Sequence, residues 1–526
     1  MPGSSPSLQD AGKPLPTRVL IRKIALLVAC LGTATAVLSL YGDALNVDAS
    51  SFLVVGRGWV AGTSPYAGLW DHKPSGEYFV TAIAALIDPH GDGVLALRAL
   101  SICFVVATAL AVDGIVRRLT GRIDAGAAGA LLVTVLVASP ALSEGGGLTE
   151  LFATTGMALA LLGVIQAGSG SRRAALMAGA GLGWAVSCSL LALGMLPALV
   201  YAWLSTGAWP SGAGASSDGP RAMLSRLRPA LLAWLVAGGI LVCAACWVPV
   251  IVSGSFGAAL DAVVGYSALY RSMASLNTAQ WLMWLIVLSP FWLPAVLVIA
   301  LVRRDARPRL TRVAAVWMVG GLGWLIYGER LYPHYLLVLA VPVAMLTVSG
   351  ALCCLSMKLP RTGRLTFVAY AALVAVGIVG LLASGPGDPG SETRTNRAVA
   401  SYIDLRSASS DQIYVWGISS DIYLSADRMP DGRFFYLLPL MTPGFAESAA
   451  NEMLAKWQED PPKFIVDASF ATVSHDALAP LLVDHPISSP DSRTDSTSLD
   501  GLRSFVREHY ALATVIGDKR VYRLQT

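Results

Sequence analysis

Apolar runs about twenty residues long recur between Val19 and Ser384, separated by short polar turns. A run of that length is what an α-helix needs to cross a bilayer. The pattern predicts spans at about 19–41, 94–116, 124–142, 149–168, 229–252, 281–302, 312–327, 334–354 and 365–384. A further short pair lies within 175–205, broken near Ser187–Ser189. The fold class expected is an α-helical polytopic membrane protein with about eleven crossings. Short half-helices of that kind line cavities in membrane proteins. Gly76–Ile87 is also apolar, but its length reaches only about 18 Å, short of the roughly 30 Å hydrocarbon core. It predicts a helix lying in the interface.

After Ser384 the pattern changes. Residues 385–396 are rich in Gly, Pro and Ser and read as a linker. Gln412–Val415, Phe464–Val466 and Arg520–Leu524 read as strands, and Ala446–Trp457 and Leu499–His509 as amphipathic helices. A small α/β domain is therefore expected over 397–526. The segment Asp411–Gly417 ends in a turn, where a crevice at strand ends is conceivable; a packed accessory domain is the other reading.

Composition supports the membrane reading. The chain has 526 residues, 55% of them hydrophobic and only 14% charged, against roughly 25% charged in soluble domains. That excludes one soluble core, a disordered chain and a disulfide scaffold. All seven cysteines lie in apolar segments, so the Cys243/Cys246 pair reads as packing, not as a redox motif.

Charge adds an orientation. Residues 1–385 carry 25 Lys and Arg against 15 Asp and Glu, and the remainder is acidic. Twenty of the 25 fall in alternate connections, from Lys13/Arg18/Arg22/Lys23 to Lys358/Arg361/Arg364. By the positive-inside rule these connections and the tail 1–18 are cytoplasmic. The membrane part is 19–384, its first external loop is 42–93, and the C-terminal domain is extracytoplasmic.

The external acidic residues cluster in a few loops, while Asp113, the main acid within a span, lies near a cytoplasmic end beside Arg117. Asp43, Asp48, Asp71, Glu77, Asp88 and Asp92 lie in the first external loop, Glu144 and Glu150 in the second, and Glu329, Arg330 and His334 in a late one. Chemistry is therefore expected at the outer face. A pump or transporter more often places charges at mid-membrane. Asp48 precedes a helical pattern and reads either as an N-cap or as a general base. The loop Gly62–Gly76 interleaves turn residues with Tyr66, Trp70, His72 and Lys73, and reads as an interfacial belt or as a shaped cationic loop.

Asp48, then Pro65-Tyr66, then Trp70-Asp71-His72-Lys73-Pro74-Ser75-Gly76 resembles the first external loop of GT-C glycosyltransferases. The nearest types are protein O-mannosyltransferase-like and bacterial aminoarabinose transferase-like enzymes. The resemblance is specific over about 43–80 and weaker around 143–156 and 328–345. It implies a multi-pass enzyme of a bacterial inner membrane. Such an enzyme moves a sugar from a polyprenyl-phosphate donor to an extracytoplasmic glycan, lipid or protein acceptor, with inversion.

It also implies roles. Asp48 matches the base, Glu150 a second acidic position, and Lys73 the donor-phosphate cation. Arg330 and His334 resemble a late-loop motif and are further candidates for the phosphate. Tyr66, His72 and Tyr335 belong to the same substrate loops. Asn46 and Val47 precede Asp48 where many members carry an acidic pair, so the base stays open between Asp48 and Asp43. Ser75 replaces a usual proline. Glu150 reads as positioning the acceptor or a divalent cation, or as capping its helix. No zinc cluster or phosphate-binding glycine loop is evident, so no cofactor is assigned beyond that cation. The acidic tail argues against nucleic acid. The alternatives are an oligosaccharide ligase or polymerase using a lipid pyrophosphate, and a membrane transporter or flippase.

Overall fold

The computed structural model describes residues 17–206, 229–272, 278–301, 309–328, 331–356, 360–384, 389–469, 481–482 and 499–525. Its membrane part is a helical bundle. Helix α1 spans Thr17–Ser39, α2 Val47–Val60, α3 Gly76–Ile87, α4 Val94–Thr120, α5 Ile123–Ala138, α6 Thr149–Ala167 and α7 Arg172–Cys188. Then come α8 (Leu196–Thr206), α9 (Pro229–Val252), α10 (Thr278–Val287), α11 (Ser289–Leu301), α12 (Arg309–Tyr327), α13 (Ala340–Leu355) and α14 (Pro360–Ala383).

Seven helical segments among the described residues are long and apolar enough to cross a membrane, and the protein is a membrane protein on that ground and on its fold. The expected eleven crossings included shorter segments. Leu190–Ser205 and Ile123–Ala138 are apolar but below that length. Ser189 is extended and breaks α7 from a 3₁₀ turn at Leu190–Met195. The span expected at 281–302 is two helices meeting at Leu288, because Pro290 has no N–H with which to continue the first.

Burial separates lipid-facing helices from central ones. Only 11% of the apolar window in α1 is buried, and 17% in each of α9 and α14. In α6 the share is 83%, and over Pro333–Leu355 it is 89%. The two most enclosed segments are those that carry Glu150 and His334. Helices α6 and α7 approach closely through glycine: a Cβ on Gly156 would lie 2.5 Å from the Gly181 carbonyl oxygen.

The C-terminal part is an α/β domain with a four-stranded sheet in the order β1-β2-β4-β3. Strand β1 is Ile413–Trp416, β2 Phe464–Asp467, β3 Tyr510–Ile516 and β4 Lys519–Leu524. β1 and β2 are parallel, and the other pairings are antiparallel. Helices α15 (Pro389–Asp404), α16 (Asp421–Ala426), α17 (Ala446–Glu459) and α18 (Asp500–His509) accompany it. Residues 389–396, expected to be linker, are the first half of α15; Asn396 is buried there and donates to Asp421. The turn after β1 is occupied by packing: Ser420 Oγ lies 2.8 Å from Ser51 Oγ on α2. That contact seats the domain on the helix whose first turn carries Asp48.

Candidate active site

Helix α2 is capped by Asn46, whose Oδ1 accepts the backbone N–H of Asp48 at 2.7 Å. Asp48 was one candidate for that cap. The structure gives the cap to Asn46 and leaves the Asp48 carboxylate projecting from the first turn, 44% exposed. Asp43, the other candidate base, sits on the rim with its carboxylate 3.5 Å from Arg397 of the C-terminal domain. It is 78% exposed and is paired away from the cluster around Asp48.

The second external loop is brought to α2 by Arg98. Its guanidinium donates to the carbonyls of Gly42 (2.6 Å), Ala44 (2.9 Å) and Gly145 (3.4 Å). Glu144 and the three glycines after it all have positive φ, at 46°, 89°, 96° and 78°. Side chains do not fit at the glycines: a Cβ on Gly146 would meet Ser101 Oγ at 2.7 Å, and one on Gly147 would meet Leu97 at 2.7 Å. This tight run turns Glu144 toward Asn46, which donates to its Oε2 at 2.5 Å. Sequence reading placed Glu144 in this loop and gave it no role. The Gly-Gly-Gly run after it was the available signal.

His334 lies between the two acids. Its Nε2 is 3.8 Å from Asp48 Oδ2, and its Nδ1 is 3.6 Å from Glu144 Oε1. It is buried and stacks on Tyr332. A phosphate contact was expected of His334; here both ring nitrogens face carboxylates instead. Arg330 and Glu329 lie outside the described residues.

Lys73 is placed by the loop 62–76. Tyr66, itself at φ 68°, donates its hydroxyl to the Lys73 carbonyl at 2.8 Å. Asp71 accepts the backbone N–H groups of His72 (2.5 Å) and Lys73 (3.3 Å). The Lys73 ammonium lies 5.5 Å from the centroid of the Tyr335 ring. Burial opposes its charge, yet Tyr335, Glu150, Asp48 and Asp71 together hold it above the ordinary lysine range. Glu77, one turn on, is fully buried, and its oxygens have no hydrogen-bond partner among the described residues. Burial first, then the charge of Glu150, pushes its carboxyl well above the usual range despite Lys73, so it is held neutral.

Glu150 is buried in the first turn of α6 and accepts from Ser189 Oγ at 3.1 Å. The residue that breaks α7 thus serves Glu150. His72 packs against Tyr266 and Tyr270, at 5.4 and 5.6 Å between centroids. The structure therefore brings together Asp48, Lys73, Glu150, His334 and Tyr335, with Tyr66 and His72 holding the loop. Among the described residues no group of three or more His, Cys, Asp or Glu could hold a metal ion.

An apolar groove of about 490 Å³ lies beside this cluster, lined by Trp281, Trp284, Leu288, Leu336, Leu339 and Val343. The 3₁₀ segment Pro333–Leu339 separates the two. Its three-residue repeat puts Leu336 and Leu339 on the groove side, while His334 and Tyr335 meet Asp48, Glu144 and Lys73.

No protein-family model and no curated protein matches the sequence. Solved structures do match. The chain is similar to ArnT from Cupriavidus metallidurans bound to undecaprenyl phosphate, at 11% identity and a TM-score of 0.60, over 94% of this chain and 97% of that one. It is also similar to the apo structure of that protein, at 13% identity and a TM-score of 0.56, over 96% and 98%. At these identities the likeness shows the fold alone: over nearly its whole length the chain is folded like ArnT, in line with the resemblance carried by the motif around Asp48 and Lys73.

Proposed function

We propose that the protein is a membrane glycosyltransferase that takes a sugar from a polyprenyl-phosphate donor and passes it to an acceptor on the extracytoplasmic side. The observation that carries this reading is one junction. A partly buried cation, Lys73, and a half-exposed carboxylate, Asp48, share a cluster, and an apolar groove adjoins it across Pro333–Leu339. A lipid phosphate carrying a sugar has that combination of parts. The whole-length likeness to a protein crystallised with undecaprenyl phosphate supports it.

In this reading the polyprenyl chain lies in the groove and its phosphate faces Lys73. As the glycosidic bond breaks, negative charge grows on the departing phosphate. A fixed ammonium stabilises that charge more than it stabilises the intact diester. Asp48 accepts the proton of the acceptor hydroxyl as its oxygen attacks the anomeric carbon. Direct attack opposite the leaving group inverts that carbon. Glu150, tied to Ser189, and neutral Glu77 form the floor beneath the sugar. In this reading the N-terminus lies in the cytoplasm and the C-terminal domain outside, as a cover over the first loop, which the distribution of basic connections supports.

The test is transfer by the purified protein in liposomes containing a radiolabelled polyprenyl-phosphate sugar and envelope acceptors. The reading requires labelled product with wild type. The absence of product with every donor and acceptor pair, in a protein that also fails to bind polyprenyl phosphate, would overturn it.

A further inference from the structure

Glu144, Asn46, His334 and Asp48 form a circuit of two hydrogen bonds and two longer charge contacts. Glu144 Oε2 accepts from Asn46 Nδ2 at 2.5 Å, and Glu144 Oε1 lies 3.6 Å from His334 Nδ1. His334 Nε2 lies 3.8 Å from Asp48 Oδ2, and Asn46 Oδ1 returns to the Asp48 backbone at 2.7 Å. A capping role for Asn46 needs only its oxygen. Its amide nitrogen is committed to a carboxylate from a different loop.

The fold holds Glu144 in place at some cost. A non-glycine residue in the left-handed region is unfavourable, and Glu144 sits there at φ 46°, ψ 45°. Three glycines that have no room for a Cβ follow it, and Arg98 anchors the run from beneath. Buried His334 then has an acceptor-only group facing each nitrogen, an arrangement that favours a proton on both. An imidazole held that way has no lone pair for base chemistry. Asp48 is the member of the circuit most open to a substrate, at 44% exposed against 19% for Glu144 and 5% for His334.

We propose that Glu144 is a positioning residue: with Asn46, and through His334, it fixes the carboxylate of Asp48 toward the acceptor. This rests on the transfer reading above. The charged groups that bear on His334 are Asp48 from α2, Glu144 from the second loop and Glu150 from α6, with Tyr332 and Tyr335 flanking the ring.

Two measurements test it. The first follows the ring nitrogens of His334 by NMR in ¹⁵N-histidine protein in lipid nanodiscs, assigned with His334→Gln. Wild type should show both nitrogens protonated near neutral pH. Glu144→Gln should move the titration down by about one pH unit or more, since a neighbouring anion is lost. The second is the transfer assay. Glu144→Gln should lower kcat by about tenfold or more with the donor KM within about twofold, and Glu144→Asp should recover part of the loss. An unmoved His334 titration, or a loss that falls on donor KM alone, overturns the proposal. Melting of each variant in nanodiscs separates misfolding from this effect, and the Glu144→Asp recovery keeps the test decisive if Glu144→Gln melts early. If wild type transfers no sugar the function reading fails, while the His334 titration still decides whether Glu144 holds the ring.

Discussion

Trp70 donates its backbone N–H to the carbonyl of Arg433 at 2.9 Å, fastening the loop that carries Lys73 to the C-terminal domain. Its ring is buried against Tyr266 (4.6 Å), Phe445 (5.4 Å) and Phe434 (5.7 Å). Arg433 is itself held by Glu452 at 2.6 and 2.8 Å. The domain is thus a clamp on the first loop. Trp70→Ala removes a fully buried indole, a change that costs about 3–5 kcal/mol in a packed core. Limited proteolysis should then cut between residues 62 and 76, and donor KM should rise.

A second prediction concerns the glycine run. Gly146→Ala places a side chain at φ 96° against Ser101. Shifting the run moves Glu144 and leaves Lys73 and the apolar groove in place. Transfer should fall by about tenfold or more, with polyprenyl-phosphate binding retained in a tritiated-lipid assay.

A third concerns Lys73. Lys73→Met keeps the stem and removes the charge, leaving Asp48, Asp71 and Glu150 without it. Polyprenyl-phosphate binding should weaken by about tenfold or more. Lys73→Arg should recover little, because a planar fork does not fit a space shaped for a point charge. Equilibrium binding of the labelled lipid reads both.

Asp421 gives a pH prediction outside the membrane. Burial, partly offset by two bonds from Asn396 at 2.9 Å, raises its carboxyl to about 6. Its ordinary value is 3.8. The native domain therefore holds a proton that the unfolded chain releases between these values. Stability should fall as pH rises from about 4 to 6 and level off above. Asp421→Asn should flatten that slope and stabilise the domain at pH 7 by roughly 1 kcal/mol. Melting midpoints against pH check both.

The sequence carried the helices well, because apolar length is a strong signal and the bounds of Gly76–Ile87 come out unchanged in α3. It carried β1 and β2 because they are buried throughout, and β4 because Val521 and Tyr522 are buried at its centre. β3 went unread because it is an edge strand, mostly exposed along Tyr510–Ile516, so no apolar alternation marks it. Asp48, Lys73 and Glu150 were legible through the loop motif. Glu144 was not, since its role depends on Arg98 bringing Gly145 to Gly42 and Ala44, a contact across more than forty residues of chain. The partners of His334 were hidden for the same reason: which groups face a ring is fixed by tertiary packing, not by neighbours in sequence.

The central claim is that Asp48 accepts the proton in a sugar transfer from a lipid phosphate. The most direct measurement is single-turnover transfer by Asp48→Asn in liposomes loaded with a polyprenyl-phosphate sugar, beside equilibrium binding of the same lipid. The account predicts transfer lowered by about a hundredfold or more, with lipid binding within about twofold of wild type. Transfer at the wild-type rate in Asp48→Asn would contradict it.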